Sequence, residues 1–577
     1  MGKNPRELNL EDMAPAQSRR YDKIAVEIRE EFDKLICEIY AGNENNRHWL
    51  FSSLASRSPH QSDLFERCCK MVLAIEWAER FTSEKGRIYV GDYAVFVCLQ
   101  HELKRNKQIN IEYTGHILRR ISVYIRPWLC WIRNFIHLIQ SLIFRCPHKE
   151  SNWRGRSSLF LLDIFVFPGD QGGGRISSGV YHDRYYQGLK AGAPEEIQKQ
   201  MVYLPTFNGS NWLYAFFQKA RSVESMILKD DFLSLSDYIS LATVTLKKIN
   251  IPNKNLMING IKINYLVNEE LRVRRADLSK MMAEMNYLFV KRLKEMDIGI
   301  SSVLNWHENQ PIDRGFILGM RHFYPEVKII GYQGFVVSPT ANFYLYPTDY
   351  EISCRIAPDS IAVTGPVLVR QAMGYTNVPV FEAPAFRFKY LWNQRQAKPE
   401  PRNYTILIGL PNSIKEAYEI VHLINDLAKI IKLDVIKFLV KPHPSHNIEH
   451  IKNSINRKVY KKVKCVNENM SELMERSDLY IGASTSACVE ALTKNLHVII
   501  LGSSRGLTSN PIPEELAREQ WQVCYGLQEL KEAIEVQISG SKKHNAASGE
   551  TVREQCFTEV TKTNTQNFVR ILANQNK

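Results

Sequence analysis

The sequence predicts an α/β protein built from two Rossmann-like domains that face each other across a cleft. Three observations carry that prediction. At 577 residues the chain is too long for one ordinary core, so two large domains are expected. Short apolar runs alternate with amphipathic stretches, the pattern of parallel strands covered by helices. The alternation is regular from residue 404 to about 540 and interrupted before it, which reads as a first domain with helical insertions. An apolar content of 44% with 24% charged residues is that of a folded chain rather than a disordered one.

The first element is a charged helical pattern from Tyr21 to Tyr40, with Ile24, Ile28, Phe32, Leu35 and Ile36 among its apolar positions. His48 to Leu54 reads as a strand, Leu64 to Phe81 as an amphipathic helix, and Arg87 to Val97 as a strand entering the next helix. Between Ile121 and Arg145 the alternation stops. There Trp128, Trp131, Ile132, Phe135, Leu138, Ile139, Leu142 and Ile143 recur at helical spacing, with Arg119, Arg120, Arg126, Arg133 and Arg145 around them. This basic segment, 119–145, fits two roles equally: a helix lying in an anionic membrane interface, or a core or inter-domain helix.

Ser158 to Phe167 is a buried strand by its continuous apolar character, and the glycine run Gly169 to Gly174 after it lacks GxGxxG spacing, so it reads as a loop near the cleft. A strand at Gln200 to Leu204, helical segments from Asn211 to Ile249 and Val267 to Met296, and a strand from Ile300 to Glu308 follow. A helix through Arg321 and strands at Val327 to Tyr332 and Ser360 to Val367 complete the first domain, which is expected to cover 1–370. The linker, 371–403, ends in the Pro- and charge-rich stretch Gln396 to Asn403.

In the second domain, 404–540, strands are predicted at Tyr404 to Leu410, Ile436 to Val440, Lys462 to Val466, Asp478 to Ile481 and His497 to Leu501, with helices between them. Such doubly wound sheets bind ligands beyond the carboxyl ends of their strands. The tail, 541–577, is expected to end in a helix from Gln566 to Ala573 that packs back on the first domain.

The formal charge of +14 and a pI near 9.1 suit anionic partners: nucleotide phosphates, acidic glycans, nucleic acid or an anionic membrane surface. No basic patch interleaved with aromatics lies outside 119–145, which argues against nucleic acid. The eleven cysteines show no CxxC and no metal-ligand spacing, so buried thiols in a reducing compartment are expected. Met1 to Lys23 has no apolar stretch of signal-peptide type, and no segment offers the roughly 20 uncharged apolar residues of a membrane span. A cytoplasmic protein is expected, with the inner face of the membrane as a further location if 119–145 binds lipid.

Four features carry chemistry. Lys441-Pro-His-Pro444 ends a central strand, and its two prolines set the backbone so that His443 can donate to a phosphate oxygen and, when protonated, neutralise a departing nucleotide. Ser484, Thr485 and Ser486 occupy a strand-to-helix turn, where hydroxyls and helix amino-terminal N–H groups suit an anion or simply cap the helix. Glu490, one turn on, can accept both hydroxyls of a ribose. Glu308, after an apolar strand of the first domain, can be a general base, a nucleophile, or a surface partner of Arg314. Asp313, Asp163 and Asp92 are weaker alternatives to it. Without an Asp-x-Asp pair or a His/Cys cluster, no metal and no bound cofactor beyond the nucleotide-linked substrate is expected.

The KPHP and GASTSACVEAL segments resemble the HP and Ser/Thr motifs of bacterial GT-B enzymes that use cytidine nucleotides, the sialyltransferases, capsule Kdo transferases and teichoic acid glycerophosphotransferases. The stretch Trp306 to Phe335, WHENQPIDRGFILGMRHFYPEVKIIGYQGF, is similar to the ENQP-centred signature of bacterial surface carbohydrate biosynthesis proteins. The resemblance implies a GT-B fold, nucleotide contacts from Lys441, His443, Pro444, Ser484, Thr485, Ser486 and Glu490, and Glu308 at the reacting sugar or acceptor. The activity it implies is transfer of a sugar, a CMP-activated ulosonic acid, to a surface polysaccharide or lipid-linked glycan. A UDP-sugar transferase or epimerase on the same fold, or a non-catalytic scaffold binding glycan or nucleic acid, stays open beside it.

Overall fold

The computed structural model describes residues 4–573 apart from 42, 44–45, 157, 167–174, 178, 208–212, 245–246, 248, 250, 252–254, 338–341, 393–403, 432–435, 517 and 541–545. The Gly169–Gly174 run and the Gln396–Asn403 stretch lie outside the described residues.

Among the described residues three parallel sheets follow one another along the chain. Strands β1 (Glu7–Asn9), β2 (Gly86–Val90) and β3 (Ile109–Tyr113) form the smallest. The second joins β4 (Leu159–Val166), β5 (Met201–Phe207), β6 (Ile300–Trp306), β7 (Ile329–Gln333), β8 (Ser360–Val363) and β9 (Val380–Glu382) in the order β9-β8-β7-β6-β4-β5. The third joins β10 (Tyr404–Gly409), β11 (Ile436–Lys441), β12 (Val463–Cys465), β13 (Leu479–Gly482), β14 (His497–Leu501) and β15 (Trp521–Cys524) in the order β12-β11-β10-β13-β14-β15. Strands such as β4, LFLLDIFV, are apolar almost throughout because helices cover both sheet faces.

Topology locates the ligand crevices. The strand order reverses between β10 and β13 in the third sheet and between β4 and β6 in the second, and an open parallel sheet binds ligands beyond the strand ends at such a reversal. The two domains thus have the GT-B architecture, each presenting a switch point.

Packing within the first domain depends on close approach. Helices Leu278–Glu295 and Pro311–Phe323 meet where a side chain at Gly315 would overlap the Ala283 carbonyl. Beside them Glu351, fully buried, accepts from Arg57 at 2.7 Å and from Arg314. Arg314 also donates to the Ala55 carbonyl at 2.8 Å, joining the amino-terminal helical layer to the second sheet.

Both chain ends cross between domains. Near the amino terminus, Asp22 accepts from the Thr508 amide at 2.9 Å and the Tyr525 hydroxyl at 2.6 Å. At the other end helix Lys562–Ala573 lies on the first domain, where Ser302 donates to the Leu572 carbonyl at 2.6 Å and Phe568 joins the core around Tyr332 and Phe386.

Several readings change. His48 to Leu54 is not a strand: Arg47–Leu50 is a helical turn started by the Asn46 side chain, which accepts from the His48 amide. A local side-chain bond outweighs the apolar run. The first sheet of the GT-B pair continues past residue 370 to β9, whose three residues are too short to register as a pattern. β15 and helix Leu527–Ser539 complete the second domain beyond the strands expected.

Candidate functional site

On the first-domain side of the cleft, β6 ends at Trp306 and the chain turns through His307 to Gln310 into helix Pro311–Phe323. Asp313 holds this turn, its carboxylate accepting from the amides of Glu308 at 3.1 Å and Gln310 at 2.9 Å. Asn309 takes a left-handed backbone, φ +52°, and its side chain donates to the Tyr344 carbonyl at 2.8 Å. The result is a fixed Glu308, half-buried, accepting the Trp306 indole N–H at 3.0 Å. Burial raises its carboxyl above the ordinary value, against the opposing pull of that hydrogen bond and of the Arg387 charge. A held, partly desolvated carboxyl of raised pKa suits a general base.

Behind Glu308 a buried polar chain spans the β4/β6 switch point. Asn305 donates to Asp163 at 2.9 Å, His307 Nδ1 meets Asn305 Oδ1 at 3.2 Å, and Lys229 Nζ lies 3.7 Å from Asp163. With Asn305 oriented by Asp163, His307 must donate from Nδ1. Burial and the neighbouring Arg314 push His307 down to about 3, so it stays neutral.

These contacts remove the alternative bases. Asp163 is 4% exposed and committed to Asn305 and Lys229. Asp313 organises the Glu308 turn. Asp92 caps helix Tyr93–Glu102 through the Ala94 and Val95 amides and pairs with Arg67 at 2.9 Å. Arg314 belongs to Glu351 rather than to Glu308, because the helix start turns it inward.

On the second-domain side, β11 ends at Lys441, whose ammonium donates to Asn467 at 3.2 Å. Pro442 is buried and Pro444 exposed, with half-buried His443 between them. The Ser445 backbone N–H donates to His443 Nδ1 at 3.2 Å, and burial, His446 and Arg387 push the imidazole down to about 4. His443 Nδ1 also lies 2.7 Å from the Ser445 hydroxyl, which donates to Asn412, and the imidazole is neutral at pH 7. It can donate one hydrogen bond, but the expected cationic role is corrected: a half-buried ring beside a guanidinium resists protonation.

The serine-threonine turn is also corrected in part. Its hydroxyls do not converge. Ser484, at φ +53°, donates to Glu416 at 3.2 Å; Thr485 accepts from the Ala487 amide at 3.3 Å; Ser486 meets the Val336 backbone of the first domain at 3.3 Å. Through Ser486 the turn therefore contributes to the domain interface. Beneath it Gly409 and Gly482 end neighbouring strands, and a side chain at Gly409 would overlap the Tyr480 hydroxyl.

Glu490, 8% exposed, accepts the Tyr390 hydroxyl on Oε2, and burial raises its carboxyl against that bond and the charge of Arg387. No sequence motif marks Arg387 and Tyr390. They lie on the 3-10 helix Phe386–Trp392, which buries Phe386, Phe388 and Leu391 and leaves Arg387, Lys389 and Tyr390 outward. The apolar positions of FRFKYLW were the available signal. The charge of Arg387 is felt by Glu308 in one domain and by His443 and Glu490 in the other. Among the described residues, no cluster of three or more His, Cys, Asp or Glu side chains is arranged to hold a metal ion.

No family model and no curated protein matches the chain. Among solved structures it is similar to S. aureus MnaA with UDP, at 11% identity and a TM-score of 0.41 over 72% of this chain and 96% of that one. The UDP-GlcNAc 2-epimerase of Methanocaldococcus jannaschii, with UDP-GlcNAc and UDP, gives 11% and 0.39 over 72% and 100%. A glycosyltransferase from Rickettsia africae gives 13% and 0.39 over 73% and 99%.

Proposed function

We infer that the protein is a glycosyltransferase that takes a sugar from a pyrimidine-nucleotide donor, with Glu308 as the base that activates the acceptor hydroxyl. The observation that supports this reading is Arg387, an exposed cation whose charge is felt by a fixed carboxyl on one domain and by an imidazole and a carboxyl on the other. A guanidinium there can neutralise the leaving nucleotide phosphate. His443 contributes an N–H donor, and Glu490, positioned by Tyr390, accepts from the ribose. Charge on the leaving group is then met by Arg387 and His443, so the reaction proceeds without a divalent ion and survives EDTA.

The resemblance of the KPHP and GASTSACVEAL segments supports a CMP-linked ulosonic acid as donor and a surface polysaccharide or lipid-linked glycan as acceptor. Ligand binding stabilises the folded state by mass action. CMP and CDP are expected to raise the melting temperature more than UDP at equal concentration. A larger shift with UDP moves the assignment to a UDP-sugar enzyme, and no shift with any pyrimidine nucleotide refutes the reading.

A further inference from the structure

Helix Ile117–Phe144 is docked along one side only. Its inner face buries Asn134, Leu138 and Ser141, with Asn134 donating to the Ala276 carbonyl at 2.8 Å and the Trp131 indole to the Ala242 carbonyl at 3.2 Å. Its outer face is apolar and open: Ile121, Ile125, Trp128, Leu129, Ile132 and Ile136 are each 47 to 61% exposed. They recur every three or four residues, so they form one stripe. From Leu118 to Ile143 it runs about 38 Å at 1.5 Å per residue. Leu235 and Ile239 on the neighbouring helix Leu235–Val244, 56% and 62% exposed, are apolar and open as well.

Charge indicates what covers it. The helix has no Asp or Glu in its 28 residues, and exposed Arg126 and Arg133 stand seven positions apart, hence in line along one edge of the stripe. An apolar stripe bordered by cations, with an exposed tryptophan, matches the layered chemistry of a bilayer surface: acyl chains beneath, anionic headgroups at the rim. A protein partner would need a groove of that length and unopposed acidic groups along it. Among the described residues, no helix is long and apolar enough to cross a membrane, so the geometry is one of lying on the surface.

We propose that helix Ile117–Phe144 seats the protein on an anionic lipid surface, its apolar stripe in the acyl boundary and Arg126 and Arg133 on the headgroups. The proposal is independent of the nucleotide site. The test is flotation of the full-length protein with vesicles of phosphatidylcholine alone or mixed with phosphatidylglycerol, at low and high salt. The protein should float with the mixed vesicles and lose most of that binding at high salt. Arg126→Gln/Arg133→Gln should bind about fivefold more weakly for each arginine removed. Trp128→Ser/Ile132→Ser/Ile136→Ser should bind more than about tenfold more weakly. All replaced side chains are exposed, and unchanged melting temperature and nucleotide binding would show the fold intact. Failure of the unaltered protein to float, or flotation of the serine variant like the parent, overturns the proposal. So does a dimer in solution that the serine variant dissolves, with no lipid binding, since the stripe would then be a self-association face.

Discussion

The substitution Asp313→Asn tests how the Glu308 turn is built. Asp313 is 1% exposed, and burial together with the negative charge of Asp163 pushes its carboxyl up to about 8. Between the ordinary 3.8 and about 8 the folded protein keeps a proton that the unfolded chain has released, so stability falls as pH rises through that window. The cost accrues at about 1.4 kcal/mol per pH unit, on the order of 4 kcal/mol between pH 5 and 8. The introduced amide would resemble the protonated acid at every pH, its carbonyl still accepting from the Glu308 and Gln310 amides. The variant should melt close to the parent at pH 5 and pull ahead as pH rises, by roughly 10 °C at pH 8 given about 2 to 4 °C per kcal/mol for a domain of this size. Scanning calorimetry from pH 5 to 9 reads the gap directly. Other buried acids act in both proteins and cancel in the difference. A gap that stays constant with pH would refute the reasoning, and a variant less stable throughout would mean that the turn needs the carboxylate itself.

Three further outcomes follow from the same geometry. Glu308→Gln should lower kcat by about 10²- to 10⁴-fold without lowering the melting temperature, and should abolish an acidic limb of kcat/KM that lies above the ordinary glutamate value; initial rates across pH decide. Arg387→Ala should weaken nucleotide binding by about 1.5 to 3 kcal/mol, more than tenfold in Kd by calorimetric titration, and equal affinity would remove Arg387 from the phosphate site. Glu351→Gln leaves Arg314 buried without its anion and Arg57 with Asp33 alone, and should cost about 3 to 5 kcal/mol, read as a fall in melting temperature. The arginines hold Glu351 below the ordinary carboxylate value, so this loss is full at neutral pH and narrows as acid protonates the parent.

The second domain was legible because its strands are short, apolar and bounded by turns, which is a local property. β10, β11, β13 and β14 fall within a residue or two of their expected ends. Short edge elements such as β9 escaped because three residues carry no period, and Arg47–Leu50 was misread because one Asn46 hydrogen bond decides it. At the site, Glu308 and Glu490 could be singled out by residue type and position after a strand or turn. Asp163, Asp313 and Asp92 looked similar and proved to be an interior partner, a turn organiser and a helix cap.

What the sequence by itself determined is the order of strands and helices, the two-domain division and the carboxylates and histidine that chemistry could use, since each follows from local pattern. Only the tertiary structure decided which carboxylates are tied into the fold, that burial keeps His443 neutral, and that the charge of Arg387 is felt by groups of both domains. It also decided which face of helix Ile117–Phe144 stays uncovered. Protonation, partnership and exposure depend on what lies within a few ångströms across the fold, and residues such as Glu308, Arg387 and His443 are far apart in the chain.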